Sequence, residues 1–246
     1  MMDYLSDPWF LETRQKTFAD AGALLGYRFD ADNGSVPQIA QARAYAEHWE
    51  EMYRENMGLL FWGKPGNGKT FAAACIANAL LEQKGSWEIS VRMTTLGTVL
   101  NRLPGLSAQD KDWYLKDLIG CDLLILDDFG MERQTEYARE QVFHLIDSRY
   151  LARRPLIVTT NLSIQELKQP RDLAQQRIYD RILELCVPVC FSGESLRQKK
   201  AKEKLKHYRL LTEQSVPAAG KAAYTEAARR DPDDSPICST EEDPGR

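Results

Sequence analysis

The run Gly63-Lys64-Pro65-Gly66-Asn67-Gly68-Lys69-Thr70 constrains this chain more than any other stretch. It fits G-x-x-x-x-G-K-[ST], the phosphate-binding P-loop. The apolar run 58–62 leads into it and reads as a buried strand; the run 71–81 follows and reads as a helix. That is the context the motif needs. Glycines let backbone N–H groups converge on phosphate oxygens at the positive end of a helix. In this geometry Lys69 reaches the β- and γ-phosphates as a point charge, and Thr70 places its hydroxyl on Mg2+. The expected nucleotide-binding set is Gly63, Lys64, Pro65, Gly66, Asn67, Gly68, Lys69, Thr70 and Phe71. An ordinary glycine turn is the bland alternative, and it leaves the flanking strand and helix unexplained.

A second signal lies downstream. Leu123-Leu124-Ile125-Leu126 is followed by Asp127-Asp128-Phe129-Gly130. Four consecutive aliphatic residues read as a central parallel strand, buried on both faces. Ligands of open parallel sheets bind at the carboxyl ends of strands. Asp127 is therefore placed to hold Mg2+, directly or through water, and Asp128 to orient the attacking water. A strand-ending Asp-Asp-x-Gly turn is the alternative.

The rest of the chain supplies further strands and helices. Residues 1–36 carry apolar anchors without clear period and read as an arm packed on the main domain. Pro37 opens a helical stretch to about Asn56, with Ile39, Ala42, Ala46, Trp49 and Tyr53 near 3.6-residue spacing. It reads either as a plain covering helix or as one lying over the nucleotide base. Lys84-Gly85-Ser86 is a stop, and 87–93 alternates like a strand. Two helices follow, capped near Thr94 or Thr95 and at Ser107. An amphipathic helix spans 135–152. The strand 156–160 ends at Asn161, which either caps a turn or offers its amide to the attacking water or the γ-phosphate.

Beyond Asn161, Arg177 and Arg181 share one face of a helix, four residues apart. They are either solvated, with acids nearby, or an arginine finger donated to a neighbouring subunit. The strand 187–191 contains Pro188, which suggests an edge. A lysine-rich helix from Leu196 to Arg209 is either a solvated face or a phosphate-backbone contact. From about Ser215 the chain becomes proline-, glycine- and acid-rich and reads as a disordered tail.

Composition excludes several classes. The formal net charge of −4 argues against a wholly basic nucleic-acid binder, while a local basic patch stays open. The five cysteines include no C-x-x-C pair and lie far from the three histidines, which favours reduced packing thiols over a zinc site. An odd count without a signal-peptide pattern suits a reducing cytoplasm. No apolar run is long enough to span a membrane.

These motifs together resemble the DnaC/IstB-type AAA+ ATPases, a family that includes bacterial and phage replicative helicase loaders. The resemblance covers residues 37–205 and rests on 63–70, 123–130, 156–162 and 176–182. It implies an α/β P-loop NTPase of AAA+ type: a parallel five-stranded sheet, helices on both faces, and a short or absent separate lid domain. The cofactors it implies are ATP and Mg2+. It implies that Asn161 is sensor 1, that Arg181 is the finger with Arg177 assisting, and that Arg197 within Ser195-Leu196-Arg197 is sensor 2. The paired helices of 94–118 match an insertion that lines a single-stranded DNA surface in relatives.

The implied activity is weak, DNA-stimulated ATP hydrolysis in a head-to-tail homo-oligomer on single-stranded DNA, with a replicative helicase as partner. An IstB-like helper would take a transposase instead, and an ATP-dependent binding module would scarcely turn over. The expected divisions are an arm of 1–36, an ATPase domain of 37–210 and a tail of 211–246. Two departures stand out. Asp128 occupies a position that is Glu in many AAA+ proteins, which suits slow, switch-like hydrolysis. The arm is also short beside the separate N-terminal helicase-binding domain of DnaC-type loaders.

Overall fold

The computed structural model describes residues 8–18, 21–32, 34, 36–83, 89–130, 135–193 and 195–213. The expected stop at 84–86, the start of the expected second strand at Trp87 and Glu88, and the tail from 214 onward lie outside them.

The aliphatic runs form one parallel sheet of β1 (Gly58–Trp62), β2 (Val91–Thr95), β3 (Leu123–Phe129), β4 (Leu156–Thr160) and β5 (Cys186–Cys190). The spatial order is β2-β3-β4-β1-β5. Side chains alternate along each strand, so one sheet feeds two cores. Leu59, Phe61, Ile125 and Ile157 face one cluster; Leu60, Leu124, Leu126 and Val158 face the other. This is why the central strands are aliphatic throughout. β5 is an edge, and Pro188, which has no N–H to donate, stands opposite Leu60. A side chain at Gly58 would strike the Leu156 carbonyl, so only glycine lets β1 lie this close to its neighbour.

Two strands differ from expectation. β2 lies at 91–95, later than the alternation at 87–93 suggested. β3 continues to Phe129, beyond the expected end at Asp127, so Asp128 also sits inside the strand. There the ladder is irregular: Leu126 faces Val158 and Phe129 faces Thr160. Asp127 and Asp128 together stand against the single residue Thr159, which is a β-bulge.

The helices cover both faces. The first core holds α1 (Pro8–Thr17), α2 (Pro37–Glu47), α3 (Trp49–Arg54) and α4 (Lys69–Glu82). The expected single helix over 37–56 is broken at His48, whose backbone (φ −101°, ψ 27°) is not helical. Ala72, Ala73, Ala74 and Ala77 are fully buried, and their small side chains let α4 lie close to the sheet. The second core holds α5 (Leu96–Arg102), α6 (Ala108–Gly120), α7 (Glu136–Leu151), α8 (Ile164–Lys168) and α9 (Leu173–Leu185). Side-chain oxygens of Thr95, Ser107, Thr135, Ser163 and Asp172 cap these helices in turn.

The arm is tied to α4 and to the edge of β2. Asn78, fully buried on α4, donates to the carbonyls of Leu24 (2.9 Å) and Tyr27 (3.0 Å). Thr17 donates to Val91 O at 2.9 Å. At the opposite end of the strands from the P-loop, Arg149 is buried. Its guanidinium donates to the carbonyls of Ile119 (2.9 Å), Cys121, Asp122 (3.3 Å) and Pro155.

α10 (Leu196–Glu213) extends past the expected end at Arg209. The chain forms two compact units, 1–196 and 197–246. No described helix is long and apolar enough to cross a membrane. The described cysteines are free thiols, and no cluster of three or more His, Cys, Asp or Glu side chains that could hold a metal occurs among the described residues.

Candidate nucleotide-binding site

β1 delivers the chain into the glycine loop at the carboxyl end of the sheet. Gly63, Gly66 and Gly68 have φ of 132°, 87° and 96°, a region costly for residues with a Cβ. At Gly66 space is also limiting, because a Cβ would collide with Ser195 Oγ. The loop is therefore closed against the strap that follows β5. Gly66 O accepts from Leu196 N–H at 2.9 Å. The Asn67 side chain donates to the carbonyls of Phe191 (3.0 Å) and Gly193 (3.2 Å). The Asn67 side-chain amide thus fastens the loop.

Lys69 opens α4 and is 5% exposed. Its ammonium donates to Gly63 O (2.7 Å), Lys64 O (2.9 Å) and Asn161 Oδ1 (2.9 Å). Thr70 donates to the Asp127 carboxylate, at 2.9 Å from Oδ1 and 3.1 Å from Oδ2. Strand order explains these meetings. β4 lies between β1 and β3, so Asn161 just past β4 reaches Lys69, while Asp127 on β3 reaches Thr70. Phe71 turns its ring toward Tyr27 of the arm, 5.2 Å between centroids, leaving its backbone in the first turn of α4.

Asp127 is buried and Asp128 exposed. Burial pushes the Asp127 carboxyl above its ordinary range, and the Asp128 charge adds to this. The hydrogen bonds from Thr159 and Thr70 and the Lys69 charge oppose it. Asp128 has φ 53°, held by the bulge. A buried carboxylate destabilised in this way favours a cation beside it.

These features fit a nucleoside triphosphate with a divalent cation. α4 begins at Lys69 without a side-chain cap, and the N-terminus of a helix favours an anion. The Thr70 hydroxyl and Asp127 carboxylate are hard oxygen donors suited to Mg2+. When bound, the cation would neutralise charge on the phosphate oxygens. Lys69 would hold the terminal phosphates, Asn161 would fix Lys69 and the γ-phosphate side, and Asp128 would face the attacking water.

Arg177 and Arg181 lie on α9, away from this cluster within the chain. Arg181 on α9 bonds Asp147 Oδ1 through Nε at 3.2 Å and lies 3.6 Å from Glu184 Oε2. Its guanidinium stacks 3.9 Å from the Tyr150 ring centroid. Arg177 is exposed on the same helix. Arg197 is exposed and belongs to the second compact unit. Sequence reasoning missed Thr159, Arg149, Asn78 and the Asp147–Tyr150 pair. Thr159 left a trace as a polar residue closing an aliphatic strand, and Arg149 and Tyr150 as members of the stripe on the 135–152 helix.

A glycine loop, a lysine, a strand-end acid pair and a strand-end asparagine, on a parallel sheet of this order, define a P-loop nucleotide-binding protein of the AAA+ class. The model of the IstB-like ATP binding protein family matches residues 16–204, and the chain belongs to that family. It is 28% identical to the replicative helicase loader DnaC of Escherichia coli (strain K12) over 177 residues, covering 70% of this chain and 68% of that protein. It is 29% identical to the replicative helicase loader DnaI of Bacillus subtilis (strain 168) over 187 residues, covering 71% of this chain and 59% of that protein. A crystal structure of the DnaC helicase loader superposes with TM-score 0.58 at 27% identity, covering 69% of this chain and 99% of that one.

Proposed function

We propose that this protein is an ATP- and Mg2+-dependent ATPase that assembles head-to-tail on single-stranded DNA and helps load a replicative helicase. The observation that carries the ATPase reading is the meeting of Lys69 with Asn161 and of Thr70 with Asp127 at the carboxyl ends of adjacent strands. The helicase role is supported by the relatives named as replicative helicase loaders.

Assembly is supported by the position of Arg181. It is engaged with α7 and not with its own chain's P-loop cluster, as a finger acting on a neighbour would be. A contact of this heterologous kind produces rings or open spirals. Single-stranded DNA is supported by α5 and α6, where Arg102 stacks on Tyr114 and Trp113 is 69% exposed. Exposed aromatics and cations together suit stacked bases and phosphates. The basic α10 supplies a second candidate contact.

The test is ATP turnover with and without single-stranded DNA. Weak basal turnover, stimulated by DNA and abolished in Lys69→Ala, is expected. No turnover in either condition sinks the ATPase reading and favours a binding module. Membership of the IstB-like family favours a second reading, a transposition helper. ATP-dependent capture of purified helicase against purified transposase separates the two.

A further inference from the structure

We infer that Thr159 is a positioning residue for both acidic groups of the site, setting the geometry of cation and water binding through one buried hydroxyl. This rests on the ATPase reading above.

Thr159 lies in β4, fully buried. Its hydroxyl donates to Asp127 Oδ1 at 2.6 Å and accepts the Asp128 N–H at 3.0 Å. A hydroxyl has one proton and two lone pairs, so one group can serve both contacts. The bonds form a directed chain from Asp128 N–H through Thr159 to the Asp127 carboxylate.

The chain sits at the bulge, where two residues of β3 stand against Thr159. A bulge interrupts regular pairing and re-aims a side chain. Here it puts Asp127 inside, toward Thr70, and Asp128 outside with φ 53°. Thr159 bonds the backbone of one acid and the side chain of the other. Asp128's conformation and Asp127's orientation are thus held by the same atom.

Thr70 is the other hydroxyl on Asp127. In the proposed site Thr70 turns an oxygen lone pair to the cation, and Thr159 keeps Asp127 oriented. The hydroxyl is what matters, because valine would fill the same space in a buried strand.

The experiment compares wild type, Thr159→Ser and Thr159→Val. Mn2+ binding with a non-hydrolysable ATP analogue is followed by electron paramagnetic resonance, and Mg2+ dependence by ATP turnover. Thr159→Val is expected to weaken Mn2+ binding and to raise the Mg2+ needed for half-maximal turnover, each by about 10–100-fold, the usual range for groups that orient metal ligands. Thr159→Ser is expected to stay near wild type. Nucleotide affinity measured in EDTA should be the same in all three, which a general loss of structure would not allow. Thr159→Ala serves if the valine variant does not fold.

A folded variant without the hydroxyl that keeps wild-type Mn2+ affinity and Mg2+ dependence overturns the assignment. So does a serine variant as impaired as the valine one, because packing would then be responsible. A wild-type protein without Mg2+-dependent nucleotide binding or turnover overturns the ATPase reading itself. A silent Thr159→Val in an active protein overturns only this inference.

Discussion

The guanidinium of Arg181 lies 3.9 Å from the centroid of the Tyr150 ring, with its Nε bonded to Asp147 Oδ1 at 3.2 Å. Both partners are on α7, and Arg181 is on α9. Tyr150 also donates to Glu184 at 2.7 Å, which closes the group around the arginine. All members are exposed or only half-buried, so each contact adds little to stability. Their effect is on direction more than on stability. Tyr150→Leu and Asp147→Asn should leave the melting temperature and ATP affinity close to wild type. Each should lower DNA-stimulated turnover, and Arg181→Ala should lower it by about 10³-fold or more while ATP still binds. Turnover against protein concentration checks this; normal turnover in Arg181→Ala removes the finger.

Asn161 supplies an oxygen to the Lys69 ammonium beside the carbonyls of Gly63 and Lys64. Asn161→Ala leaves the carbonyls of Gly63 and Lys64, so the lysine keeps its place. ATP affinity should change little. Turnover should fall by about 10²-fold, as when one preorganised polar group is removed from a reacting phosphate. Equilibrium binding of a fluorescent ATP analogue beside single-turnover phosphate release separates the two effects.

Asp127 offers a test through stability. Its folded-state pKa is raised, chiefly by burial. An acid whose pKa is raised on folding costs stability as pH climbs through that window, because the native state holds the proton more tightly than the unfolded state. In EDTA and without nucleotide, Asp127→Asn should melt no lower than wild type at neutral pH. Its advantage should shrink as pH falls and the wild-type carboxyl takes up its proton. Mg2+-dependent nucleotide binding should be lost. Thermal melts across pH are the measurement; an Asp127→Asn protein less stable at neutral than at acid pH, relative to wild type, contradicts it.

Arg149 should matter for folding and not for chemistry. Its charge is solvated by backbone carbonyls at the end of α6 and before β4. Arg149→Lys cannot reach them all, and a buried group left unbonded costs about 1–3 kcal/mol. A loss of roughly 2–4 kcal/mol is expected in denaturant unfolding, with ATP affinity retained in the folded fraction. An unchanged unfolding midpoint counts against this role.

Much of the site was legible in the chain because its signals are local. The glycine loop needs a strand before and a helix after, and both are written in neighbouring residues. The strand runs, caps and edge proline follow from propensity and periodicity over a few positions. His48 escaped that reading because Ala46, Trp49 and Tyr53 preserve the apolar spacing across the break. The β3 boundary escaped because two aspartates look like the end of a strand. Here they stay within it through a bulge whose cause, Thr159, lies on another strand.

The sequence by itself determined a nucleotide loop, five strand segments, an acid pair and the candidate asparagine, since each depends on chain neighbours. Only the tertiary structure decided that β4 lies between β1 and β3, which brings Asn161 to Lys69 and Thr159 to the acids. It alone tied Asn67 to the strap and Arg181 to α7. These contacts join residues far apart in the chain, and two packed cores, not local propensity, select them.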